Sequence, residues 1–127
     1  MPRLEKGAKW VFGWVIVGPD LSVPIPPAAW RRYRFEAGGE ALLLAGSRTS
    51  GGLALAGAGR LPERLAGRII GSGRFEADAR VMLDTGAPVH PADRLLAVFG
   101  SGHALGLLAR GPIFRLALEH DEIEVFR

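Results

Sequence analysis

The chain is written in short apolar runs, each cut by glycine or proline. Trp10–Val17 is apolar along both faces, the pattern of a strand enclosed in a barrel or sandwich. Gly18-Pro19-Asp20 predicts a turn, and Leu21–Ile25 is extended again up to Pro26-Pro27. Proline is tolerated in the first turn of a helix, so Ala28–Tyr33 predicts one to two helical turns. There Trp30 and Tyr33 face inward while Arg31 and Arg32 reach solvent. Gly38-Gly39 ends that unit, and Glu40–Ala45 with Leu53–Ala56 predict a hairpin around Gly46–Gly52. Residues 58–73 read as a connector with a short helix at Pro62–Ala66. Ala77–Leu83 alternates apolar and polar positions, as a half-buried strand does. Asp84–Ala92 is rich in turn residues, and Arg94–Phe99 with Ala104–Ala109 predict a second hairpin. Pro112 opens a helix over Ile113–His120, and Ile123–Phe126 closes the sheet. With 18 glycines and 9 prolines, long helices are not expected.

Part of this pattern occurs twice. Gly39–Leu53 resembles Ala92–Leu107: an acidic residue, an apolar run, Gly-Ser and a second apolar run. With one extra residue in the later run, Gly46-Ser47 falls on Gly100-Ser101, Gly52 on Gly106 and Gly57 on Gly111. Two such strand–turn–strand units predict a pseudo-twofold single domain, holding in one chain what a homodimer builds from two. The halves span about 9–57 and about 74–127.

A chain of 127 residues, 48% hydrophobic and 23% charged, is long enough for one core and too apolar for disorder. The absence of cysteine excludes disulfides, Cys-ligated zinc and thiol catalysis. The net charge of +3 is uneven. Residues 1–63 carry eight basic and five acidic side chains, and residues 64–127 carry eight of each. An anionic partner is therefore expected on the first half. Arg3, Lys6 and Lys9 before Trp10–Val17 imitate a signal peptide, but the run is short, broken by Gly13 and lacks a small-residue cleavage site. No run approaches the ~20 apolar residues of a membrane span. The expected location is cytoplasmic, without a membrane partner.

Asp84-Thr85-Gly86-Ala87 matches the core of retroviral-type aspartic proteases, which pair two such aspartates so that one stays protonated while the other activates water. No flap followed by an apolar-apolar-Gly segment succeeds it, and Asp-Thr-Gly after a strand is also an ordinary turn. Gly46–Gly52 lacks the Gly-Lys-Ser/Thr ending of a phosphate-cradling P-loop. His90, His103 and His120 have no metal-ligand spacing. Trp10, Trp14 and Trp30 read as core. No catalytic residue, cofactor or metal is expected, and the protein reads as a non-enzyme.

Val23–Leu42 resembles the core of the AbrB-like (SpoVT/AbrB, swapped-hairpin) DNA-binding domain. That family has a strand ending in Ile-Pro, a short helix with adjacent arginines, a Gly-Asp or Gly-Glu pair and an apolar strand. Ile25-Pro26, Arg31-Arg32 and Gly39-Glu40 fill those slots, with one extra proline at Pro27. The later repeat keeps Asp93-Arg94-Leu95-Leu96 but lacks the Ile-Pro and the arginine pair. Glu40 and Asp93 read as structural, their carboxylates positioned to accept N–H groups of the preceding turn. The resemblance implies a mainly β fold: a small pseudo-twofold barrel of interleaved hairpins (swapped-hairpin or double-psi-like) with one or two short helices. It implies double-stranded DNA as partner and a homodimer as the family's usual state; a duplicated chain can make the barrel as a monomer, and a homodimer formed through the second half is the other expectation. Phosphates and guanine edges call for arginine forks, so Arg31, Arg32, Arg34 and Arg48 are the DNA-binding candidates, with Lys6 and Lys9 beside them. The expectation is a transcriptional regulator; the alternative is a barrel-type ligand-binding or assembly module that does not bind DNA.

Overall fold

The computed structural model describes residues 10–84 and 86–127, so Lys6 and Lys9 lie outside the described residues. The chain is mainly β. Its strands are β1 (Val11–Ile16), β2 (Ser22–Pro24), β3 (Glu40–Ala45), β4 (Leu53–Gly57), β5 (Ile69–Glu76), β6 (Arg80–Leu83), β7 (Arg94–Phe99), β8 (Leu105–Leu108) and β9 (Val125–Phe126). Two short α-helices, α1 (Pro27–Arg32) and α2 (Pro112–Ala117), and 3-10 turns at Ala58–Arg60 and Glu63–Arg68 complete it.

The strands form one sheet of order β2-β6-β5-β3-β4-β8-β7-β1-β9. It curls until β1 meets β2 at the turn where Gly18 N–H donates to Ser22 O (2.8 Å), giving a nearly closed barrel. The interior is filled by side chains from every part of the ring, among them Val15, Val23, Leu43, Leu55, Phe75, Val81, Leu95 and Leu105. Outside, α2 covers a second cluster of Val11, Trp14, Leu96 and Val98, with Phe114 edge-on to Trp14 at 5.0 Å. Burying each such side chain contributes roughly 1.5–3 kcal/mol, and closure leaves little open edge.

The pairing has a twofold exchange that reaches individual hydrogen bonds. Replacing β1–β4 by β5–β8, and the reverse, leaves the ring order unchanged. Val11↔Val98, Gly13↔Ala97 and Trp14↔Leu96 in one half become Ile69↔Leu44, Gly71↔Leu43 and Ser72↔Leu42 in the other, with the bulge at the same place. Leu53↔Leu107 and Val23↔Val81 pair across the axis itself. Val17 N–H donates to Asp93 O (2.9 Å) as Phe75 N–H donates to Gly39 O (2.9 Å). Ile25 N–H donates to Ala79 O (2.9 Å) as Leu83 N–H donates to Leu21 O (3.1 Å). Two pairs of left-handed residues also correspond: Leu21 (φ 66°) with Ala79 (φ 59°), and Gly38 (φ 84°) with Ala92 (φ 71°).

This register revises the sequence alignment. Residues 11–24 match 69–82 and residues 38–54 match 92–108, so no extra residue is needed in the later run and Glu40 falls on Arg94, not Asp93. The length difference lies between the blocks, where residues 25–37, with α1, face the shorter 83–91. The stretch read as a connector carries the first half of β5. Its glycines mark close approach: a Cβ on Gly73 would stand 2.5 Å from Met82 O. Trp10 is not core but 42% exposed, at the mouth of β1. α2 ends at Ala117, short of the expected His120.

Candidate nucleic-acid interface

α1 begins at two prolines and rests on a platform of aromatic rings. Pro26 and Pro27 preset the backbone of the first turn, and Ala29 is small enough to be fully buried against the barrel. Trp30 meets Phe35 at 5.9 Å and Phe75 at 5.6 Å, both edge-on, and Phe35 stacks on Phe75 at 4.3 Å. Tyr33 stacks on Phe35 (5.6 Å) and Phe99 (6.0 Å). Its hydroxyl donates to Ser101 O at 2.8 Å, fastening the helix to the β7–β8 turn. The helix closes with Arg34 in the left-handed region (φ 55°): Arg34 N–H donates to Arg31 O and Phe35 N–H to Trp30 O. That conformation costs a residue with a Cβ about 1 kcal/mol and turns the chain inward at Phe35.

Burial pushes the Tyr33 phenol up to about 12, because the phenolate would lose its water. The folded value lies above the ordinary value of 10.0, so this contribution to stability is complete below pH 10 and is lost as pH rises through about 12. Tyr33 is the only tyrosine, so phenolate absorbance reads it alone. The titration is expected near pH 12 in the folded protein and near 10 in denaturant.

The platform holds Arg31, Arg32 and Arg34 exposed within one turn of chain. Arg32 lies over the Phe99 ring, 4.8 Å from its centroid, which steadies its guanidinium with the outer edge open. Arg34 lines an open cleft of about 440 Å³ with Glu36, Glu40, Arg60 and Phe75. Among the described residues, the only ion pairs within 4.0 Å are His90–Asp93 and His120–Glu122. The arginines of α1 are therefore not neutralised by direct contact with Glu36 or Glu40.

Arg48 stands apart. It sits in the β3–β4 loop at the opposite end of β3, a strand length of about 17 Å from Glu40. Its carbonyl accepts a bond from Arg110 (3.1 Å), and Arg68 donates to Ala45 O (3.2 Å) at the base of the same loop. The structure thus gathers Arg31, Arg32 and Arg34 with Arg60 at one end, and Arg48 with Arg68 and Arg110 at the other. Arg60 was legible only once β4 was known to bring the chain back beside the start of β3.

Asp84 is exposed at the end of β6, where its backbone N–H donates to Ser72 O (3.2 Å) and its carboxylate accepts from Ser72 N–H (3.4 Å). On β1, the residue matching Ser72 is Trp14, whose N–H is taken by Glu124 O (2.8 Å). Asp84 thus supplies with a side chain what β9 supplies with a backbone carbonyl. Asp93 accepts His90 N–H at 2.8 Å, the turn-closing bond expected of it. No group of three or more His, Asp or Glu side chains suited to a metal occurs among the described residues. No helix among them is long and apolar enough to cross a membrane. Protein-family models, curated proteins and solved structures contain no match to the chain.

Proposed function

We propose that the protein is an AbrB-like DNA-binding regulator that meets duplex DNA with the α1 end of its barrel. The observation that carries this reading is the trio Arg31, Arg32 and Arg34: exposed, with no carboxylate of the described residues within 4.0 Å, and mounted on a packed aromatic platform. A rigid mount lowers the entropy cost of ordering the guanidinium forks on phosphates or guanine edges. The interleaved hairpins support the same reading, since the family resembled in sequence is built from them. Arg31 and Arg32 contact the backbone, Arg34 and Arg60 flank the cleft, and Arg48 meets a more distant phosphate or none.

The shorter second half favours a different outcome for its own end. Residues 83–91 replace α1 and carry no arginine, so binding is one-ended, unlike that of a symmetric dimer. A salt titration of duplex binding tests the proposal. The wild type is expected to bind at about 50 mM salt and weaken steeply as salt rises; Arg31→Ala/Arg32→Ala lowers the log–log slope by about 2. Absence of binding at about 50 mM salt would leave a barrel that serves as a non-DNA assembly module.

A further inference from the structure

The twofold exchange shows which surface is bare. Ile69 and Ile70 correspond to Val11 and Phe12. Val11 is fully buried in the cluster under α2, and Phe12 is buried with its ring 6.3 Å from Tyr33, which follows α1. Ile69 and Ile70 are 37% and 48% exposed. Their half has no counterpart of α1, and the stretch matching α2 begins with only the 3-10 turn Ala58–Arg60. Each isoleucine is thus bare where its counterpart is covered, Ile69 on the side that α2 covers in the other half and Ile70 on the side that Tyr33 covers.

The surroundings are basic. Arg64 and Arg68 precede the isoleucines, and Arg48 and Arg110 are joined to the same side through the β3–β4 loop. Among the described residues the carboxylates on this side are Glu63 and Asp84, and Asp84 is engaged by Ser72. The opposite chemistry lies past α2. Leu118 (51%) and Val125 (40%) are exposed, and Glu119, Asp121, Glu122 and Glu124 are exposed around them. Among the described residues the basic groups there are Arg94, whose guanidinium lies 4.1 Å from the centroid of Trp14, the strand partner of Val125, with Arg115, Arg127 and His120, and His120 is held by Glu122 at 2.7 Å. Of the five large apolar side chains exposed among the described residues, four thus fall into one basic and one acidic patch.

We infer that the protein self-associates head to tail, the acidic face around Leu118 and Val125 of one copy seating on the arginine-flanked Ile69–Ile70 edge of the next. Basic edge against basic edge brings arginines together, so the charges select unlike faces. A contact between unlike faces leaves one of each free at the ends of every open oligomer, so association is not confined to a dimer and stops only where a ring closes.

The test is sedimentation and light scattering of the protein alone at about 50 mM salt. Wild type is expected to grow in mean mass with concentration past the dimer and to return to monomer at about 500 mM. Ile70→Asp, which sets a carboxylate on the basic edge's apolar contact against an acidic partner, and Leu118→Arg, which sets a cation against the basic edge, are each at exposed positions and expected to be monomeric. Mixed, they form a one-to-one dimer and nothing larger, because each retains the face the other has lost. Wild type that stays monomeric up to about 1 mM overturns the inference. So does a mixture that remains monomeric, or a wild type that stops at the dimer. Ile70→Ser and Leu118→Ser replace the charged variants if near-UV circular dichroism shows altered packing.

Discussion

Phe75→Ala is expected to cost about 4 kcal/mol, within the range for removing a buried aromatic ring. Phe75 is 2% exposed, stacks on Phe35 at 4.3 Å and takes the edge of Trp30 at 5.6 Å. Its backbone is fixed at both ends, donating to Gly39 O and accepting from Gly38 N–H (2.7 Å). The surrounding chain therefore has little freedom to collapse into the space. Urea unfolding should show a lower midpoint at unchanged slope, with a melting temperature lower by roughly 15 °C. The lost ring also lies beneath α1, so under the proposed DNA-binding role the folded fraction should bind DNA more weakly than wild type. An unchanged urea midpoint would mean that α1 is not supported from below.

Gly52→Ala is expected to cost about 3 kcal/mol through the backbone, not through a cavity. Gly52 has φ of 64°, and a Cβ there would stand 2.0 Å from Leu107 O. The left-handed angle accounts for about 1 kcal/mol. The remainder comes from displacing a carbonyl beside the Leu53↔Leu107 pair, where the halves meet on the axis. Gly57→Ala is the control. Its φ is −71° and no atom lies within 4 Å of the added carbon, so it should be neutral or slightly stabilising. Equal losses in the two variants would contradict the close approach at Gly52.

The hairpins were legible because their cause is local. Glu40–Ala45 and Arg94–Phe99 are apolar runs stopped by glycine, and they became β3 and β7 at those bounds. β5 was hidden because Ile69-Ile70-Gly71-Ser72-Gly73 has no alternation of its own. Its glycines answer to Met82 O and the Leu43 side chain, which no window along the chain contains. The repeat was visible through its glycines but misaligned by one residue, because Gly38 and Ala92 share a backbone angle and not a side chain. Arg31, Arg32 and Arg34 could be grouped from the sequence, since one helical turn joins them. Their separation from Arg48 follows from which way β3 runs through the barrel.

The interleaving also governs how the chain can be made. β3 pairs with β5 and β4 with β8, while β1 waits for β7. When the first four strands have left the ribosome, β3 and β4 can form a hairpin, but the walls that bury it are not yet synthesised. The ring is complete only after Leu108 emerges, and α2 then closes over Trp14, an early residue held open until the end. Neither half is a folding intermediate with a core of its own. The barrel assembles late and as a whole, so its slow step is the meeting of distant strands.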